Sequence, residues 1–382
     1  MNLFKKKKLV FVLVLLIIIV ASAFIAFFVL SSKEDPKPEE SSEKVEESEK
    51  PTISAKVLAA EKLPQYEDKS TEYGVNDIQG TPDKSMFADI ENPTFLAVSK
   101  ENKIKGSDTV ASFHVGEDYR AYPLKYINYH HIVNDKFDKT PVLISYCGIC
   151  NSAAAYSPIV KGKTLTFGVL GVLLHNDLVM YDKQTDSWWI QITGEAFTGK
   201  YKDTKLTLLP GMELVTYADF KKAHSNGKVL QPVAQYTNLY EQFDPAQFYE
   251  GEPEEGGSES VNRDQVVGIE VRGKAKAYKI DDVKKENIIN DKLNGWSLLI
   301  ISDPKDGGVR IFRRFLVEDE MILEFELKNG NLVDKETGST WNFLGEATAG
   351  ELKGKTLTQP KYLELFQFAW EGFFPKTAIY KP

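Results

Sequence analysis

Two diverged copies of one stretch bound the fold of this chain more tightly than any single motif. VASFHVGEDYRAYPLKYINYHHIVNDKFDKTPVLISYCGIC, from Val110, aligns without a gap on VVGIEVRGKAKAYKIDDVKKENIINDKLNGWSLLIISDPKD, from Val266, a constant offset of 156 residues. Ala121-Tyr122 falls on Ala277-Tyr278 and Asn134-Asp135 on Asn290-Asp291. Further on, LVMYDKQTDSWWIQITGEAFTG from Leu178 matches NLVDKETGSTWNFLGEATAG from Asn331, and the offset drifts to about 151 as loops change length. The expectation is two tandem diverged repeats of one sheet-based unit, at 86–232 and 263–382, joined by a connection at 233–262 whose aromatic half packs and whose Gly and Glu half is a loop.

Within each copy, apolar and polar residues alternate more than they follow the helical period, so the predicted class is α+β, β-rich. Strands are expected at Thr109 to Val115, Tyr119 to Tyr122, Ala153 to Val160, Leu165 to Leu170 and Leu178 to Tyr181, with short helices around Tyr217 to His224 and Glu364 to Trp370.

Ahead of the repeats, residues 1–8 end in four lysines, Lys5 to Lys8, and 9–30 follow without a charge and with only Ser22 polar. That run is long enough to span a bilayer, and the lysines before it place the N-terminus in the cytoplasm and the rest of the chain outside. Ala21-Ser22-Ala23 resembles a signal-peptidase site, but the apolar run continues through Leu30, which favours an uncleaved single-pass anchor and makes the membrane a partner through 9–30. Residues 31–56 turn to Glu, Ser, Lys and Pro and read as an acidic disordered linker. With a formal net charge of -8 and no basic cluster beyond the N-terminus, nucleic acid is not an expected partner.

Both cysteines lie in PVLISYCGICNS, Pro141 to Ser152: a short apolar strand, then a turn. If Asp138 and Lys139 form the turn of the hairpin that precedes it, paired positions put His130 directly across from Cys147, close enough to stabilise a thiolate or share a metal. A turn longer by one residue would put His130 on the other face. The internal comparison sharpens the choice of residues. Where copy one has Cys147, Cys150, His130 and His131, copy two has Asp303, Asp306, Glu286 and Asn287. What both copies keep, including Asn134-Asp135 and the Asp182 and Asp334 segments, reads as scaffold, the Asn-Asp pairs satisfying hairpin backbone.

The pieces RAYP at Arg120, YHHIVND at Tyr129, SYCGIC at Ser145, LTFGVLG at Leu165, DLVMYDKQTDSWW at Asp177, DKETGSTWN at Asp334 and FQFAW at Phe366 resemble domain-of-unknown-function family 3179, found in bacteria and archaea, from about Met86 to the C-terminus. The resemblance implies export, and the selenocysteine that some members carry in the CxxC-type motif implies redox rather than purely structural thiols. Members commonly have Cys-Pro-x-Cys where this chain has Cys147-Gly148-Ile149-Cys150, and Glu at the position of His131, which makes His130 the match to the family histidine.

Three readings of the cysteines follow. The first is a thiol–disulfide oxidoreductase with Cys147 attacking, Cys150 resolving and His130 lowering the thiol pKa, working with an unknown protein or small-thiol partner and no identified cofactor. The second is a soft-metal protein, copper(I) held by Cys147, Cys150, His130 and Met180, although Met180 in its apolar strand reads as core. The third is a cell-envelope structural or interaction module with a structural disulfide. The residues after Cys150 return at once to a strand, leaving no room for the long helix that follows such a motif in a thioredoxin-like fold. His175 is expected in a solvated turn, as are Asp303 and Asp306, whose alternative is a hard cation. Neither a phosphate loop nor a hydrolase elbow is present.

Overall fold

This protein is built from short, mostly antiparallel strands, the central ones buried on both faces. The computed structural model describes residues 55–65, 73–242 and 263–382. Strands β1 (Thr109–Val115) and β2 (Asp118–Pro123) form a hairpin with Ala111 opposite Tyr122. Pro123 then ends the pairing, and helix α1 (Leu124–His130) begins where a missing N–H removes no helical bond. Helix α1 stops at His131, whose φ of 57° is left-handed and whose N–H caps the carbonyl of Ile127. Strands β3 (Ile132–Phe137) and β4 (Thr140–Cys147) follow, paired from Ile132 opposite Ser145 to Phe137 opposite Thr140 around the Asp138-Lys139 turn. β5 (Ser152–Ser157) pairs with β4. β6 (Phe167–Leu174), β7 (Asp177–Asp182) and β8 (Trp188–Ile190) make a further sheet, with Ile78–Gln79 on the edge of β6.

The same succession occurs from Gln265 onward. Gln265–Val271 and Lys274–Lys279 pair with Val267 opposite Tyr278, helix Ile280–Glu286 ends at Asn287 with φ 65°, and Ile288–Leu293 pairs with Trp296–Ser302. In both halves a strand leads into a helix, Glu213–Thr216 into Tyr217–Ala223 and Leu363–Phe366 into Gln367–Phe373, and a last short strand lies parallel to the second one.

One apolar cluster joins the halves. It holds Cys147, Cys150, Phe167, Leu174 and Trp189 together with Val266, Leu365, Trp370 and Phe373. The second half thus packs directly behind the cysteine turn, and the N–H of Phe366 donates to the Cys150 carbonyl at 2.8 Å. Of the aromatic residues after the first half, Tyr240 of helix Thr237–Glu241 is buried, its ring 4.8 Å from that of Tyr126.

The pieces kept in both copies perform matching tasks. Asp182 and Asp334 each accept from a tryptophan N–H, Trp189 at 3.1 Å and Trp341 at 2.8 Å. Asn134 and Asn290 do not close their own hairpins as expected. Each exchanges two hydrogen bonds with the backbone of a separate strand, at Phe167 and Phe325. Asp135 and Asp291 do bond backbone of their own hairpins, accepting from the N–H of Lys136 and Lys292, and Asp135 also accepts from Tyr122 and Arg120. Asp303 and Asp306 are not in a solvated turn either: both are buried and ion-paired to Arg310, which also holds Glu213 from the first half.

The span expected at 9–30, the linker up to residue 54 and residues 243–262 of the connection lie outside the described residues, and the last two linker positions, Ala55 and Lys56, are not disordered but open the helix Ala55–Glu61. Among the described residues no helix is long and apolar enough to cross a membrane.

Candidate functional site

The β4–β5 hairpin presents both sulfurs. Cys147 is the last residue of β4 and pairs with Ser152, so Gly148 to Asn151 must reverse the chain. Asn151 takes a φ of 48°, and Tyr146 Oη donates to its side-chain oxygen at 3.0 Å. Gly148 lets Asn128 of α1 approach closely: a Cβ there would overlap Asn128 Oδ1, so a larger residue needs that side chain to move. The base of the hairpin is fixed by buried Gln191, which donates to Ser145 Oγ at 3.1 Å and accepts from Ser152 Oγ at 2.8 Å.

A second hairpin meets the first. Between β6 and β7, His175 and Asn176 have φ values of 49° and 64°, the two left-handed positions of a tight hairpin turn. This turn aims the Asn176 carbonyl and the Asp177 carboxyl at the cysteines. The two sulfurs are 3.1 Å apart as free thiols, where a disulfide would need about 2.05 Å. Cys150 Sγ lies 3.0 Å from Asn176 O and 3.7 Å from Asp177 Oδ1, and the other Asp177 oxygen accepts from Ile192 N–H at 2.9 Å.

The two thiols are electrostatically unlike. Burial works against ionising Cys147, but a hydrogen bond from the Cys150 thiol and the backbone N–H groups of Cys150, Leu178 and Ile149 outweigh it, so its pKa falls below the ordinary value. Cys150 is pushed well above its ordinary value by burial first, then by the bond and charge of Cys147 and by Asp177. Asp177 is also raised, by burial and by Cys147, against the pull of the Ile192 and Leu178 N–H groups. The arrangement makes Cys147 the more easily ionised of the two thiols and Cys150 the less easily ionised, and behind Cys150 it sets a carboxyl whose pKa is shifted upward, toward that of a thiol.

A cavity of about 460 Å³ opens beside Cys147, lined by Phe87, His131, Ile149, Val172 and Leu178 among others. A bulge in β6 between Val169 and Leu173 supplies part of its wall.

His130 is not across from Cys147. The predicted register holds, but the ladder ends at Ile132 because α1 carries His130 away. Its Nδ1 bonds the Ala88 carbonyl and its Nε2 meets Tyr240 Oη at 2.5 Å, a buried and fully engaged ring. His131 is the histidine on the cysteine side, with Nδ1 2.9 Å from the Tyr146 carbonyl. Met180 is fully buried opposite Trp189. It lies three residues from Asp177, so strand alternation turns it to the other face of β7. The group that stands with the sulfurs is Asp177: among the described residues, Cys147, Cys150 and Asp177 offer ligand atoms all within 4.8 Å of one another.

Comparison with known families finds a match over residues 84–377 to the family described as "Protein of unknown function (DUF3179)". The chain belongs to the DUF3179 family. No curated protein and no solved structure matches it. The DUF3179 match spans both cysteines, Asp177, both histidines and the second half that packs behind them. Sequence reasoning missed Asp177, although a signal was there. Counting back from the aligned Asp182 and Asp334, Asp177 falls on Asn329, so the aligned second stretch has no carboxyl there, as it has no cysteines.

Proposed function

We propose that this DUF3179 protein is a membrane-anchored, extracytoplasmic thiol–disulfide oxidoreductase. The observation that carries the reading is the pair of sulfurs 3.1 Å apart with a buried carboxyl 3.7 Å from the inner one. Cys147 thiolate attacks one sulfur of a substrate disulfide, that S–S bond breaks, and the departing thiolate takes a proton from water. Cys150 passes its proton to Asp177 and attacks the Cys147 sulfur. The mixed disulfide breaks, the second substrate thiolate leaves, and the Cys147–Cys150 disulfide remains. Two electrons pass from the protein dithiol to the substrate disulfide, and the reverse course oxidises a substrate dithiol.

The anchor at 9–30, with the N-terminus in the cytoplasm, puts this chemistry outside the cytoplasm, where thiol pairs are exchanged rather than kept reduced. We also infer that the halves arose by duplication, supported by the gapless alignment and the recurring order of elements. In the second, Asp303, Asp306 and Arg310 replace the cysteine chemistry with a buried ion cluster.

The test uses full-length protein in detergent and hydroxyethyl disulfide. Cys150→Ser is expected to accumulate a mixed disulfide on Cys147, seen by intact mass, and Cys147→Ser to accumulate none. Equal labelling of both variants, or of neither, refutes the reading. One observation favours a second: the Cys147, Cys150 and Asp177 ligand atoms form a compact set, two sulfurs that suit copper(I) and, with the carboxylate, a mixed set that suits zinc. Stoichiometric copper or zinc in purified protein, lost in Cys147→Ser and in Asp177→Asn, would put metal handling first.

A further inference from the structure

The cavity beside Cys147 carries a specificity that the thiol chemistry alone does not explain. Among the described residues, its lining includes no Asp, Glu, Lys or Arg. Its walls are mostly aliphatic and aromatic, with the uncharged amides of Gln79 and Asn128 among them, and its rim leaves Met86 54% and Ile149 48% exposed, two large apolar side chains in water beside Cys147. Ile149 is one of the two residues between the cysteines, so whatever meets Cys147 also covers it.

Resting on the redox reading above, we propose that this cavity receives an apolar side chain adjacent to the reacting cysteine of a peptide or protein substrate. A small charged thiol such as glutathione would bring carboxylates and an ammonium group to a lining that offers them no counter-charge. His131 adds a further selection. Its Nδ1 hydrogen is committed to the Tyr146 carbonyl, and burial holds the ring neutral, with a pKa pushed down to about 4, which leaves Nε2 as an acceptor. An acceptor suits the N–H of a peptide backbone, and the side-chain amides of Gln79 and Asn128 in the same lining suit its carbonyls, whereas a quinone, the other apolar two-electron partner, presents carbonyls alone and leaves the His131 acceptor unused. A polypeptide also explains the rim, because an extended chain lies over exposed Met86 and Ile149 while one side chain enters the cavity.

Exchange is the step already written: the Cys147 sulfur bonds to the cysteine sulfur that leads with the apolar residue, the peptide disulfide breaks, and Cys150 then releases the peptide thiol.

The test is single-turnover reduction by full-length reduced protein in detergent of three probes. These are the homodisulfide of a short peptide with Leu and Phe flanking its cysteine, the same peptide with Ser at both flanks, and hydroxyethyl disulfide. The apolar peptide is expected to react at least about tenfold faster than the Ser peptide. Met86→Glu, a change at an exposed site, is expected to lower that ratio severalfold. If hydroxyethyl disulfide is reduced but the two peptides react alike, or if Met86→Glu leaves their ratio intact, the cavity proposal is wrong while the redox reading stands. If a short-chain quinone oxidises the dithiol faster than the apolar peptide does, and Met86→Glu slows that oxidation, the occupant is a quinone and the proposal is overturned. Failure to reduce any disulfide removes the redox reading and this inference with it.

Discussion

Asp177 Oδ1 lies 3.7 Å from the sulfur of Cys150, and its other oxygen is held by the Ile192 N–H, so a buried carboxyl faces the inner of the two thiols. This relationship separates the two halves of the exchange. Asp177→Asn keeps the shape but removes the proton acceptor. It is expected to slow resolution of the mixed disulfide by about 10²-fold or more while leaving the first attack at Cys147 nearly unchanged. Rapid quenching followed by intact mass reads both steps, and an equal slowing of the two would show that Asp177 only supports the fold.

The thiol pKa of Cys147 is lowered in part by the Cys150 thiol. Its alkylation rate should therefore level off at a lower pH than that of an ordinary cysteine, whose value is 9.0. Cys150→Ala removes the strongest of the lowering contacts and should move the profile upward. A profile that does not move would place the stabilisation entirely in the backbone amides.

His130 and His131 are neighbours in sequence and serve different parts of the molecule. His130 bonds the Ala88 carbonyl and Tyr240 and has its pKa lowered by burial, so His130→Ala is expected to cost on the order of 2–3 kcal/mol of stability. The Cys147 alkylation profile should stay where it is. Urea denaturation and alkylation on the same sample test this, and a raised thiol pKa at unchanged stability would restore His130 to the site.

Glu364 supplies the clearest pH dependence. Burial raises its pKa from 4.5 to about 7, the Leu214 N–H opposing and the Glu213 charge adding to the rise. A carboxyl with a raised folded value contributes stability that is fully present below about pH 4.5 and is lost as pH rises through about 7. Glu364→Gln can keep the bond from Leu214, and it removes this loss. At pH 8 it is expected to be more stable than wild type by on the order of 2 kcal/mol, with a flatter profile between pH 4.5 and 7. Thermal unfolding across that range decides it, and parallel curves would refute it.

Much of the frame was legible in local pattern. The Asp138-Lys139 turn and the register beyond it follow from polar turn residues between alternating strands, and the Thr109–Val115 strand falls where it was expected. The helix Leu124–His130 was not legible, because YPLKYINYHH holds three tyrosines and an isoleucine, which suit a strand equally well. Its start depends on Pro123, and its end on a left-handed His131 that no composition marks. That one helix moved His130 out of the site and brought His131 in. Asp177 was hidden for another reason. It reaches the cysteines through a tertiary meeting of two hairpin turns, which strand periodicity does not encode, and only its replacement by Asn329 in the second copy records it. Asp303 and Asp306 read as a solvated turn because nothing local marks the burial of their shared partner Arg310, which comes from packing against the first half, where Arg310 also pairs with Glu213.

The central claim is that Cys147 and Cys150 form a working redox pair. An equilibrium redox titration of the full-length protein against dithiothreitol, followed by intact mass after alkylation, tests it most directly. A reversible two-electron transition at a potential above about −300 mV is predicted, and Cys147→Ser should abolish it. A disulfide that stays closed at more reducing potentials, or a pair that never closes, would contradict it.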